Sequence, residues 1–135
     1  MKARGNGQLV GIGSVAGIRG LPGSEAYCAS KSAVITYCES LRVEMQKYGI
    51  RVSTICPGFV RTPLTAENPY KMPFIMEPED FAREAVEAIT ARARYRVIPW
   101  QMGCLPKLCA AYRTACGTKS SPTASKNPAQ QLSNF

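Results

Sequence analysis

Residues 8–13 (Gln-Leu-Val-Gly-Ile-Gly) and 50–56 (Ile-Arg-Val-Ser-Thr-Ile-Cys) are short apolar runs bounded by turn residues, and each reads as a buried strand. What lies between them constrains the fold most. Residues 14–23 form a loop punctuated by Gly17, Gly20, Pro22 and Gly23. Then Tyr27, Ser30, Val34, Tyr37, Leu41, Met45 and Tyr48 recur at spacings of three and four, the pattern of one long helix. Ser24 is its expected N-cap, Glu25 suits the positive end of the helix dipole, and Gly49 supplies the stop. Two strands joined through a helix cannot form a hairpin. They cross over and lie parallel.

The pattern continues beyond the second strand. Residues 59–76 are irregular, with Pro63, Pro69 and Pro73, and their length suggests a functional loop or lid. Glu77 opens another helix, with Pro78, Glu79 and Asp80 in its first turn and Ala82, Ala85, Val86 and Ile89 as its expected inner stripe. Residues 95–99 read as a third strand and 103–116 as a weak final helix. From 117 to 135 the chain is rich in Ser, Thr, Pro, Asn and Gln and is expected to be a disordered tail after a single domain over 1–116. Strand, helix, strand, helix, strand predicts an α/β fold, with right-handed crossovers, a parallel sheet and helices on both faces. Such sheets bind ligands beyond the carboxyl ends of their strands, where Ser14, the start of the long helix and Pro57-Gly58 all fall.

Composition narrows the function classes. Of 135 residues, 45% are hydrophobic, as in soluble globular proteins. No apolar run follows the polar, basic start, so no signal peptide is read. The stretch 97–116 is interrupted by Pro99, Gln101, Pro106, Lys107 and Arg113, too often for a membrane span. A cytoplasmic location without membrane association is the expectation. Six cysteines and no histidine exclude a mixed Cys/His zinc site, and Cys104, Cys109 and Cys116 lack zinc-ligand spacing. No metal is expected, and the cysteines read as free, mostly buried thiols. The net charge of +8 is scattered, and its densest cluster, Arg92, Arg94 and Arg96, has only Tyr95 interleaved. Nucleic-acid binding is therefore not expected. Part of the excess could serve a phosphate-bearing cofactor, and part solubility.

Tyr27 and Lys31 stand four apart on one helix, which puts both side chains on one face. A free tyrosine titrates near pH ~10 and is a poor base at neutrality. A neighbouring ammonium favours the phenolate, so the pair suits proton transfer in alcohol/carbonyl chemistry. A hydroxyl at Ser14 could hold and polarise a substrate oxygen beside Tyr27. Such a pair arises by chance in many helices, and a serine after a strand says less. The ordered combination is what carries weight.

That combination resembles the second half of short-chain dehydrogenases/reductases. The matching pieces are Gly13-Ser14-Val15-Ala16-Gly17, Tyr27-Cys28-Ala29-Ser30-Lys31-Ser32-Ala33, Leu41-Arg42-Val43-Glu44, Gly49-Ile50-Arg51-Val52 and Pro57-Gly58-Phe59-Val60-Arg61-Thr62, spread over residues 6–100. The resemblance implies the C-terminal part of a Rossmann-like doubly wound sheet, with NAD or NADP as cofactor. It implies Tyr27 as general acid/base and Lys31 as its electrostatic partner and a ligand of the nicotinamide ribose. Ser14 would orient the substrate. Pro57 and Gly58 would form the turn beside the nicotinamide, the Val60 backbone would meet the carboxamide, and the Thr62 hydroxyl would lie near carboxamide and pyrophosphate. Residues 63–76 match a variable substrate loop, and the long helix matches one that packs against its own copy in homo-oligomers. The substrate would be a small alcohol or ketone. Phe59, Tyr70, Met72, Phe74 and Met76 suggest a hydrophobic one, or equally are ordinary packing residues.

The family also carries a first βαβ unit with a glycine-rich turn against the pyrophosphate. Only thirteen residues precede Ser14, so this N-terminal nucleotide-binding unit is expected to be missing, leaving the strand that bears Ser14 with an unpaired edge. Gly11-Ile12-Gly13-Ser14-Val15-Ala16 imitates the fingerprint, but another loop follows it rather than a helix, and it reads as coincidence. The expectation is a truncated oxidoreductase chain. The alternative is a non-catalytic remnant that acts as a dimerising interaction module.

Overall fold

In the second apolar run Ile50, Val52, Thr54 and Cys56 point to one side, Ser53 and Ile55 point to the other, and all are buried. A strand covered on both sides needs an element on each face of its sheet. That requirement organises the computed structural model, which describes residues 1–21, 23–66, 68 and 71–104. Strands β1 (Gly7–Ile12), β2 (Ile50–Pro57) and β3 (Tyr95–Ile98) form a parallel sheet in that order. Helix α1 (Glu25–Gln46) joins β1 to β2. The short α2 (Pro63–Ala66) and the longer α3 (Pro78–Thr90) lie between β2 and β3. Single 3-10 turns occur at Lys2–Arg4 and Val15–Gly17.

Cys38 and Met45 of α1 pack on Ile50 and Val52, with Leu9, Val34, Leu41 and Tyr48 around them. Ala85 and Ala88 of α3 pack on Ile55 and Ile98, with Phe81, Ile89 and Met76 around them. Ile50 and Val52 share a face of β2 that Ile55 does not, so α1 and α3 lie on opposite faces, and the sheet is doubly wound as expected. The handedness is a correction. Both crossovers step across the sheet in the same direction but pass over opposite faces, so they have opposite hands and cannot both be right-handed. The long connection 58–77 gives the chain room to reach the far face before α3 begins.

The inner stripe of α3 holds at Ala85 and Ile89 and differs from expectation elsewhere. On α3, Ala82 and Val86 are exposed, and the buried residues are Ala85 and Ala88. Small side chains there let the helix approach the sheet, and the bulk comes from Phe81 and Ile89. On α1, Tyr27 and Tyr37 face outward, while Cys28, Cys38 and Met45 are buried. The helix start is capped differently too. The Ser24 hydroxyl caps nothing, and the Glu25 carboxylate accepts the Gly23 N–H at 2.9 Å instead. At the other end Gly49 takes φ 67, which an L side chain rarely adopts, and a Cβ there would run into the Gly5 carbonyl.

Two polar side chains lock the layers. On the α1 face, Arg42 donates from Nε to the Val52 carbonyl at 2.9 Å. Its Nη2 reaches the Thr54 hydroxyl at 2.8 Å and the Arg94 carbonyl at 2.7 Å, joining α1 to β2 and to the entry of β3. On the α3 face, Gln8 Nε2 donates to Ser53 Oγ at 3.1 Å and to the Ile89 carbonyl at 2.9 Å. Among the described residues β1 pairs with β2 alone, and Val10 and Ile12 are exposed.

Cys28, Cys38 and Cys56 are buried free thiols and Cys104 is exposed, whereas Cys109 and Cys116 lie outside the described residues. Residues 100–104 are helical. The rest of the expected final helix and the expected tail also lie outside the described residues. No helix among the described residues is long and apolar enough to cross a membrane.

Arg42→Met keeps much of the aliphatic stem and removes all three hydrogen bonds. It is expected to lower the free energy of unfolding by roughly 2–4 kcal/mol, read from the denaturant midpoint. An unchanged midpoint would show that the clamp contributes nothing.

Candidate active site

The register Ile12↔Ile55 brings the carboxyl ends of β1 and β2 level, and the Gly13 N–H extends the ladder by donating to the Ile55 carbonyl at 2.8 Å. Ser14 and Pro57 therefore leave the sheet on one rim. Ser14 is buried, and its hydroxyl oxygen accepts the Ala16 N–H at 3.1 Å, capping the Val15–Gly17 turn. With a lone pair engaged in this way, the Ser14 proton remains available to a substrate oxygen.

That turn presses directly on α1. A Cβ on Gly17 would lie 2.7 Å from the Lys31 carbonyl carbon and 2.8 Å from the Ser32 nitrogen, so only glycine lets loop and helix backbones meet there. The contact sets the height of Lys31 against the Ser14 loop. Lys31 Nζ lies 5.7 Å from the centre of the Tyr27 ring and donates to the Ile12 carbonyl at 3.4 Å, beside the strand end that leads into Ser14. The Tyr27 ring is half-exposed, and among the described residues its phenol has no hydrogen-bond partner. No hydrogen bond joins Ser14 to Tyr27. They share the rim with their polar ends open.

Beneath lies Cys56, fully buried. Burial pushes its thiol up, against opposing pulls from the Tyr95 side chain, the Ser14 backbone and the Lys31 charge. It is a neutral filler under the rim rather than a nucleophile. Burial and this same thiol also push up the Tyr95 phenol.

The Gly58 N–H donates to the Ile98 carbonyl at 2.7 Å, and a Cβ on Gly58 would come 3.0 Å from Met102 Cγ and 3.2 Å from Pro99 Cδ. The Pro57-Gly58 turn is thus held against the chain that follows β3. Beyond it, Val60 bridges to Met76: the Met76 N–H donates to the Phe59 carbonyl at 3.0 Å, and the Arg61 N–H donates to the Met76 carbonyl at 2.9 Å. Both ends of the loop are pinned there, with an exposed Arg61–Glu77 ion pair at 2.7 Å across the same base. The Val60 N–H has no partner among the described residues.

Thr65 is a residue that sequence reasoning missed. Its hydroxyl lies 2.8 Å from the Val60 carbonyl, accepts the Thr62 N–H at 2.9 Å and sits 3.3 Å from the Thr62 hydroxyl. It shapes the Val60–Thr62 backbone, and nothing in the sequence marks a lone threonine in a proline-rich loop. Met76 belongs to the α3 core rather than to a pocket wall, and Tyr70 lies outside the described residues. The fingerprint-like run over residues 11–16 leads into one 3-10 turn and not directly into a helix.

Ser14, Tyr27, Lys31 and the 57–62 turn thus offer hydroxyl, ammonium and backbone N–H groups along one rim, a set that can hold alcohol, carbonyl and amide oxygens. Residues 1–72 match the family model for short chain dehydrogenase. The chain belongs to that family. It is 45% identical over 102 residues to an uncharacterised oxidoreductase of Myxococcus xanthus, covering 76% of this chain and 40% of that one. It is 41% identical over 93 residues to oxidoreductase UcpA of Escherichia coli, covering 68% and 35%. The chain therefore spans two fifths or less of the length of these relatives. In fold it is similar to a short-chain dehydrogenase from Sphingobium yanoikuyae solved in complex with NADPH (TM-score 0.67, 24% identity, 92% of this chain and 50% of that one). It is also similar to one from Burkholderia phymatum in complex with NAD (TM-score 0.70, 21% identity, 93% and 54%). These likenesses establish the Rossmann-like fold.

Thr65→Val keeps the shape of the side chain and removes its hydrogen bonds. It is expected to cost roughly 1–2 kcal/mol locally and to speed tryptic cleavage after Arg61 several-fold. Equal cleavage rates would remove Thr65 from this role.

Proposed function

We propose that this rim is the reacting end of an NAD- or NADP-dependent oxidoreductase site that interconverts an alcohol and a carbonyl compound. The observation that carries the reading is the placement of Tyr27 and Lys31 on one face of α1, beside the strand end that delivers Ser14. In this reading Ser14 donates its free proton to the substrate oxygen and holds it near Tyr27. The Tyr27 phenol gives a proton to that oxygen during reduction and takes it back during oxidation. The Lys31 ammonium stabilises the phenolate.

The donor set fits the nicotinamide-ribose end of such a cofactor. Lys31 and Tyr27 would hold ribose hydroxyls, Pro57 and Gly58 would back the ring, the unpaired Val60 N–H would meet the carboxamide, and Thr62 would add a hydroxyl. When bound, the cofactor supplies or accepts a hydride at the substrate carbon. The fingerprint-like run over residues 11–16 leads into a 3-10 turn and not directly into a helix, so these residues would hold one end of the cofactor only. A hydrophobic substrate agrees with half-exposed Phe74 on the loop. It also agrees with 35% identity over 106 residues to a mouse protein named epidermal retinol dehydrogenase 2.

A second reading, a non-catalytic module that pairs through α1, draws on the outward Tyr37 and Val43, 66% and 74% exposed. Tyr27→Phe separates the two. On the oxidoreductase reading it lowers kcat by ~10²–10⁴-fold and leaves Tm in place. Wild-type turnover in this variant would refute the role of Tyr27. A dimer on size exclusion that neither binds nor oxidises NADPH or NADH would favour the second reading.

A further inference from the structure

The opposite rim holds a second candidate site. At the amino end of β2, Arg42, Gln46, Arg51, Arg92 and Arg94 surround a cleft of about 270 Å³ whose walls include Gly49, Ile50 and Val52. β2 runs from Ile50 to Pro57, so at about 3.3 Å per residue the cleft lies roughly 20 Å from the Ser14–Pro57 rim. It is not part of the site described above.

Four arginines line this cleft, and no aspartate or glutamate does. The ion pairs among the described residues, Arg61–Glu77 and Arg83–Asp80, lie elsewhere. Arg42 is fixed by three neutral oxygens, which orient it without neutralising its charge. The side chains of Arg51, Arg92 and Arg94 have no hydrogen-bond or ion-pair partner among the described residues. The sequence after Glu87 contains no aspartate or glutamate, so neither the turn into β3 nor anything in residues 88–135 brings a balancing side chain. Like charges gathered in one concave site repel each other and raise the local concentration of anions.

The backbone adds an independent sign. Helix α3 ends with the Ala93 N–H on the Ala88 carbonyl at 2.9 Å and the Arg92 N–H on the Ile89 carbonyl at 3.0 Å, and Arg92 takes φ 54. Glycine is the usual residue at this left-handed helix stop. Here an arginine occupies it and lines the cleft.

We infer that this cleft binds a phosphate group, as inorganic phosphate, a small phosphate ester or a phospholipid headgroup. Arginine is suited to it because its planar fork matches phosphate oxygens two at a time. Arg42 supplies a rigid floor, Gln46 adds an amide one helical turn on, and Arg51, Arg92 and Arg94 close around the charge.

Arg92→Gly is the informative variant, since it removes a cation while giving the backbone the residue that its conformation favours. Phosphate would be titrated by calorimetry against chloride at constant ionic strength, with Tm followed in parallel. Saturable phosphate binding is expected in the wild type. Affinity should fall about tenfold or more in Arg92→Gly and in Arg94→Gln. The Tm of Arg92→Gly without phosphate should be equal or higher. Vesicles of phosphatidylcholine with and without phosphatidic acid identify the source. Pelleting with phosphatidic acid that phosphate competes away and Arg92→Gly abolishes points to a headgroup, and phosphate binding without pelleting points to a soluble ligand. Equal responses to phosphate and chloride, or undiminished phosphate affinity in Arg92→Gly, would overturn the inference.

Discussion

The contact on which the rim depends is possible because Gly17 has no side chain. Its backbone lies against the Lys31–Ser32 peptide of α1 so closely that even a methyl group would force the two apart. Through that contact the loop that carries Ser14 and the helix that carries Tyr27 and Lys31 become one rigid piece. On the proposed reading, a displacement of about an ångström there would separate a proton donor from the oxygen it must reach, and proton transfer is sensitive to such distances. Arg42 holds the same helix three turns further on, from the opposite end of β2. The helix is therefore fixed at both ends, by backbone packing at the chemical rim and by charged hydrogen bonds at the other.

Strand β2 sets the remaining geometry. Because it is buried on both sides, α1 and α3 must lie on opposite faces, and the connection between β2 and α3 has to travel far. Its length leaves room for the loop over 59–76, and the loop is anchored where it begins and ends, through Val60 and Met76. A loop closed at its base can vary at its tip without disturbing Pro57-Gly58. That separation lets one fold keep the residues of its rim fixed while those of the loop change.

Much of this was legible in the sequence. The three strands, the long helix with its Gly49 stop and the proline-led α3 follow from periodicity and punctuation, and the shared rim follows from topology. The failures have physical causes. Periodicity finds a helix but fixes its phase poorly: Ala85 and Ile89 lie on the inner side as expected, but Ala82 and Val86 are exposed and Ala88 is buried, and the smallness of Ala85 and Ala88 brings the helix close. The general preference for right-handed crossovers predicted both connections alike, and only the pairing of Ile55 with Ala85 and Ala88 shows that they differ. Thr65 and the arginine cleft were invisible because their partners come from distant parts of the chain. Arg92 and Arg94 stood out as a local cluster, but Arg42 and Arg51 join them only through the sheet.

The exposed edge of β1 and the position of Ser14 are linked by the same strand. Six register pairs with β2 hold β1 on one side, and among the described residues nothing pairs with it on the other. Ser14 leaves from its end and inherits that one-sided support. A further parallel strand on the free edge would cover the exposed Val10 and Ile12 backbone and bring its own carboxyl end to the rim, on the side of Ser14 away from Pro57. Whatever residues stood there would face the open polar ends of Ser14 and Tyr27. The sheet edge and the candidate active site therefore form one structural question, and occupancy of the first governs how firmly the second is held.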